Sequence, residues 1–287
     1  MNHQECTLIA ADGTRLYCQS WHPERPPRAV VLVCHGVADH GGRYPHLVAA
    51  LVGRGYVACA HDHRGHGRSD GPRLDVRAFD EYVEDLRTHR DAVAEAFPGL
   101  PLFLFGHSMG SIVALEFVLT HPGAVQGLIC SGTALLAGEG FPPALLALNR
   151  LLGRVLPRLR LVSLPTEGIS RDPAWVNQTR ADPLIYHGPG TVRLGNAILA
   201  AQGRARDRLA EVDLPLLAVH GAADALVDPA GARMLVEGTS SSDRTLRLYE
   251  GAFHEVHNDL PPAREAMLSD LLAWLDAHTA VAKSLAV

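Results

Sequence analysis

The chain has 287 residues, 47% of them hydrophobic and 20% charged, with a formal net charge of −5. That length suits one large α/β domain with an inserted subdomain, and the composition is that of an ordinary globular protein. The acidic balance speaks against a nucleic-acid partner, and no run reaches the ~18 apolar residues of a membrane span.

The N-terminus lacks the basic region and apolar run of a targeting signal. Five cysteines with no C-x-x-C pair read as free thiols of a reducing, cytoplasmic compartment. The first elements are a hairpin, Thr7–Ala10 and Leu16–Trp21, joined through Asp12-Gly13. After Pro23, Pro26 and Pro27, strands and helices alternate. Continuous apolar runs at Ala29–Cys34, Tyr56–Ala60, Leu102–Phe105, Val125–Cys130 and Leu214–Val219 read as parallel strands covered on both faces. Thr245–Tyr249 is more polar and belongs nearer an edge. Phe79 to Phe97 carries apolar residues at three and four, a helix. The pattern predicts a doubly wound, mostly parallel α/β sheet.

One stretch, residues 133–209, has no good strand. It is too long for a structureless loop and reads as a helical cap over the carboxyl end of the sheet, with the core formed by 1–132 and 210–287. Within it, Ala144 to Arg160 is basic and amphipathic, suited either to packing on the domain or to transient contact with a lipid surface.

Gly106-His107-Ser108-Met109-Gly110 follows the strand ending at Phe105 and precedes a helix. This is the setting of a nucleophile elbow, and it makes the expected architecture the α/β-hydrolase fold with Ser108 as nucleophile. A serine hydroxyl needs a base, and in this fold the acid and then the histidine follow it in the chain. Asp224 lies just after a strand, whereas Asp228 precedes Pro229 and a helix. We take Asp224 as the acid and Asp228 as the helix cap. His254, after the last strand, is the expected base, with His257 as the alternative and as a residue lining the site. The oxyanion hole needs two backbone N–H groups. Met109 supplies one and Val37, beside Gly36, the other.

Asp62 to Ser69 reads as a hydrogen-bonded loop that holds the top of the sheet together. His61, His63 and His66 lack the defined tetrahedral set that zinc requires, so no metal is expected. No phosphate-cradling glycine fingerprint opens the first parallel strand, so no nucleotide cofactor is expected either.

Several segments resemble the monoacylglycerol lipases: His35 to Tyr44, Asp62 to Ser69, Gly106 to Gly110, Tyr249 to His254, and Ile169–Pro173 with Ala181–Leu184. The likeness runs from about residue 5 to residue 276. It implies Ser108, Asp224 and His254 as triad, and a small lipid ester as substrate. It also implies that Asp39, Arg43, His107 and His257 lie at the head-group end of that substrate, and His35, in the same loop, is taken as a further substrate-binding residue. The family often has glutamate where Asp39 stands, and tyrosine where Thr179 stands. The function implied is hydrolysis of monoacylglycerols. The rivals are a lysophospholipase, a general carboxylesterase or thioesterase, and a non-catalytic hydrolase-fold binder. Oligomeric state is not legible.

Overall fold

The five apolar runs form adjacent parallel strands, because each buries side chains on both faces. In the computed structural model, which describes residues 2–136, 142–162 and 166–285, they are β3 (Val30–Cys34), β4 (Val57–His61), β5 (Leu102–His107), β6 (Gly127–Ser131) and β9 (Leu216–Gly221). Every residue in them is buried. The hairpin is β1 (Asn2–Ile9) and β2 (Arg15–His22), longer at its open end than the sequence suggested. With β10 (Arg244–Tyr249) the sheet has eight strands in the order β1-β2-β4-β3-β5-β6-β9-β10. Only the β1–β2 and β2–β4 pairings are antiparallel.

Alternate residues of each strand feed two apolar layers. Val30, Leu32 and Leu104 pack with α2 (Asp80–Ala96), α3 (Met109–Thr120) and α7 (Ala230–Gly238). Val31, Val33 and Phe103 pack with α1 (Pro45–Arg54) and α8 (Pro261–Leu285). Local chemistry sets the helix limits. Pro45 opens α1, and Gly55 at φ 92° closes it, its N–H donating to the Leu51 and Val52 carbonyls. The α3 helix is buried at every residue except Thr120, as its continuous apolar sequence demands.

Between β6 and β9 the chain leaves the main sheet. It forms α4 (Pro143–Val155), β7 (Arg160–Val162), α5 (Pro173–Ala181), β8 (Gly190–Thr191) and α6 (Val192–Asp207). The expectation of no strand here needs correction: β7 and β8 pair with each other. They are three and two residues long, too short to give a period-2 pattern. Asp172 caps α5 by accepting from the Ala174 N–H, and Thr191 caps α6 by accepting from that of Leu194.

Candidate active site

β5 delivers Ser108 on a turn so tight that the residue sits at φ 52°, ψ −123°. Three bonds hold this left-handed conformation. The Ser108 N–H donates to the Ser131 carbonyl at 2.9 Å, and the Ser108 carbonyl accepts the Ser111 N–H at 2.9 Å and its hydroxyl at 2.6 Å. Strain of this kind persists only where the surroundings over-determine it. The flanking glycines follow from close approach. A Cβ on Gly106 would lie 2.5 Å from the Gly110 carbonyl oxygen, and one on Gly110 would lie 2.1 Å from that of Cys34. A Cβ on Gly36 would meet the Ser108 Cβ at 3.2 Å, so the loop after β3 runs directly against the serine. Met109 is the first residue of α3, so its N–H has no acceptor within the helix.

Asp224 follows β9, and its carboxylate is saturated. Oδ1 accepts the Leu226 and Val227 N–H groups at 2.9 and 3.0 Å. Oδ2 accepts His254 Nδ1 at 2.7 Å and His220 Nε2 at 2.9 Å. Burial alone would raise this carboxyl, but the hydrogen bonds from His220 and His254 outweigh it and hold the group far below the usual carboxylate range. With Nδ1 donating to Asp224, His254 keeps Nε2 as the free ring nitrogen. Asp228 is exposed and accepts the Ala230 N–H at 2.8 Å, at the start of α7.

Ser108, His254, Val37 and Met109 all line one cavity of about 710 Å³. The segment between β6 and β9 supplies much of its wall, including Leu152, Ile169, Tyr186, Leu194 and Ile198. Its polar end is a buried network. Arg43 donates from Nη1 to Asp39 at 3.0 Å and Glu255 at 3.1 Å, and from Nη2 to Glu255 at 3.1 Å and Thr179 at 2.7 Å. Tyr44 donates its hydroxyl to Asp39 at 2.9 Å. Burial would raise both carboxyls, yet the Arg43 guanidinium holds Asp39 and Glu255 below their ordinary values.

Asp39, Arg43 and His107 reach the cavity, but His35 and His257 do not. His35 is fully buried behind it, donating from Nδ1 to the Gly36 carbonyl at 2.7 Å and accepting the His63 N–H on Nε2 at 2.8 Å. It spaces two loops. His257 stacks on Tyr44 with ring centroids 5.0 Å apart and meets the edge of His107 at 4.8 Å. The sequence reading missed His220 and Glu255. His220 had a signal, being a strand-end histidine four residues before the acid. Glu255 was masked by the two histidines around it.

The Asp62 loop is a brace. Its carboxylate accepts the Gly41 and Arg68 N–H groups, both at 2.8 Å. Among the described residues, the cluster with metal-binding dimensions is His220, Asp224 and His254, whose ligand atoms lie within 4.8 Å of one another. Both ring nitrogens donate to the shared carboxylate oxygen, so they face it as N–H groups and not as lone pairs.

A serine on a strained strand-to-helix turn, and a buried aspartate holding a histidine beside the same cavity, define a serine hydrolase of the α/β-hydrolase fold. The family described as serine aminopeptidase, S33, matches residues 25–261, and the chain belongs to it. Its relatives include the monoacylglycerol lipase of Mycolicibacterium smegmatis, 36% identical over 96% of this chain and 97% of that protein. The human monoglyceride lipase is likewise 36% identical, over 96% of this chain and 91% of its own. The crystal structure of Paleococcus ferrophilus monoacylglycerol lipase superposes with a TM-score of 0.82 at 31% identity, covering 92% of this chain and 99% of that one.

Proposed function

We propose that the protein cleaves monoacylglycerols to fatty acid and glycerol, with Ser108 as nucleophile, His254 as base and Asp224 as the acid that orients it. The observation that carries the reading is the Asp224–His254 bond of 2.7 Å beside the cavity that Ser108 enters on its strained turn. Relatives named for this activity at 36% identity over nearly the whole chain support it. Ser108 Oγ attacks the ester carbonyl while His254 Nε2 takes its proton. The Val37 and Met109 N–H groups hold the developing oxyanion. The tetrahedral intermediate expels glycerol, which takes the proton from His254. Water, activated by the same nitrogen, then releases the fatty acid.

Residues 133–209 act as the cap that walls the acyl chain. Apolar lining recognises it at roughly 0.8 kcal/mol per buried methylene. Contact with a lipid surface belongs to the same reading, because α4 and the turn after it expose Leu151, Val155, Leu156 and Leu159. Among the described residues, no helix is long and apolar enough to cross a membrane.

The test compares kcat/KM for monoacylglycerols, matched methyl esters and triacylglycerols across chain lengths. Glycerol hydroxyls held by buried polar groups favour the monoglyceride by about 1–3 kcal/mol. Equal turnover of triacylglycerols, or no glyceride advantage at any length, leaves a general carboxylesterase. One observation favours that second reading: all four terminal N–H groups of Arg43 already bond within the protein.

A further inference from the structure

Glu255 has more partners than charge balance asks for. Asp39, four residues before Arg43 in the chain, already neutralises it at 3.0 Å. Glu255 adds a second carboxylate, so the buried trio carries one negative charge in excess. What Glu255 adds is further reach. Its Oε2 accepts Trp175 Nε1 on α5 at 2.7 Å and Asn258 Nδ2 at 3.0 Å, besides Arg43. Arg43 in turn lies over the Trp175 ring, 5.1 Å from its centroid, and donates to Thr179 one turn further along α5. The Thr179 hydroxyl donates back to the Trp175 carbonyl at 3.0 Å. The backbone is stitched at the same place, the Glu255 N–H donating to the Ile169 carbonyl at 2.7 Å. Two outer bonds flank the clamp: His40 Nε2 to Asp182 at 2.9 Å, and Arg171 Nε to Asp259 at 3.1 Å.

We infer that Glu255 is a positioning residue, which through Arg43 and Trp175 clamps α5 onto the loop that carries His254 and so sets the polar end of the cavity. In this arrangement Arg43 is a strut of the clamp, and the head group meets a wall whose place depends on α5. The effect on substrate rests on the monoacylglycerol reading above, whereas the clamp does not.

The test uses two variants, Glu255→Gln, which keeps the shape and removes the charge, and Trp175→Phe, which removes the indole N–H together with the five-membered part of the ring. Hydrogen exchange is followed without substrate. Exchange across residues 173–181 should quicken roughly 10-fold in both variants, with α2 unchanged, because local openings are set by local contacts. Unchanged exchange in that helix, a uniform rise across the chain, or a rise in Glu255→Gln alone each overturns the inference. Kinetically, Glu255→Gln should raise KM for a monoacylglycerol by about 3- to 10-fold, with a smaller change in kcat. A fall in kcat at unchanged KM would place the action of Glu255 on His254 and overturn the clamp. Absence of a glyceride preference in the wild type sinks the substrate reading instead, and leaves the exchange result to decide Glu255.

Discussion

Ser108 is the residue on which the chemistry turns, and its backbone shows why substitution there separates activity from folding. The left-handed conformation is fixed by backbone bonds and by Gly106, Gly110 and Gly36, none of which involves the hydroxyl. Ser108→Ala therefore keeps the fold and lowers kcat by roughly 10³-fold or more. A variant retaining a tenth of the turnover refutes the assignment. The two aspartates are separated in the same way. Asp224→Asn places an amide where Oδ2 now accepts two ring N–H groups, so the His254 tautomer is no longer specified. Turnover should fall roughly 10³- to 10⁴-fold. Asp228→Asn keeps an acceptor for the Ala230 N–H ahead of α7 and should change the unfolding free energy in urea by less than about 0.5 kcal/mol. Losses in the reverse order would make Asp228 the acid.

At the scale of the element, α4 holds apolar side chains in solvent. Its Asn149 bonds Asn196 of α6 at 2.7 Å, but Leu151 and Val155 are 55% and 68% exposed. Leu151→Ser with Val155→Ser should weaken co-sedimentation with phospholipid vesicles by about 10-fold or more, since each buried apolar side chain contributes roughly 1.5–3 kcal/mol. Hydrolysis of a short soluble ester should change little. Equal vesicle binding by variant and wild type would assign this face to something other than lipid. The elements that position the site were legible because their signals are local. A buried strand is a run of apolar residues, and the elbow is five consecutive residues. The clamp was not legible. Glu255 and Arg43 are 212 residues apart and Trp175 and Glu255 80 apart, and no pattern in the chain marks partners at such separations. His35 misled for a related reason. It sits in a loop that borders the cavity, but its ring points back into the sheet top.

Across the whole molecule, buried histidines set the response to acid. His35, His61, His63, His66, His89, His107 and His257 are all buried. Burial is the largest cause that lowers each of them, and for most a neighbouring histidine adds to it. His63 is brought down to about 3, and His66, His89 and His257 to about 4. In the unfolded chain they titrate near 6.5. The folded values are lower, so the fold favours the neutral ring. The resulting stability is complete above about pH 6.5 and is lost as pH falls toward the folded values. Each histidine contributes a slope of up to about 1.4 kcal/mol per pH unit in that window. Asp62, Asp85 and Glu116, whose carboxyls burial raises, act in the opposite sense and offset part of the loss. Three such groups do not cancel seven, and a domain is stable by only about 5–15 kcal/mol. Urea midpoints should therefore fall steeply from pH 6.5 to pH 5, with several protons taken up on unfolding. His89→Gln, which removes the partner 3.1 Å from His61 Nδ1, should reduce that uptake by about one proton. A midpoint that stays level between pH 7 and pH 5 would mean that these rings are not held neutral by the fold.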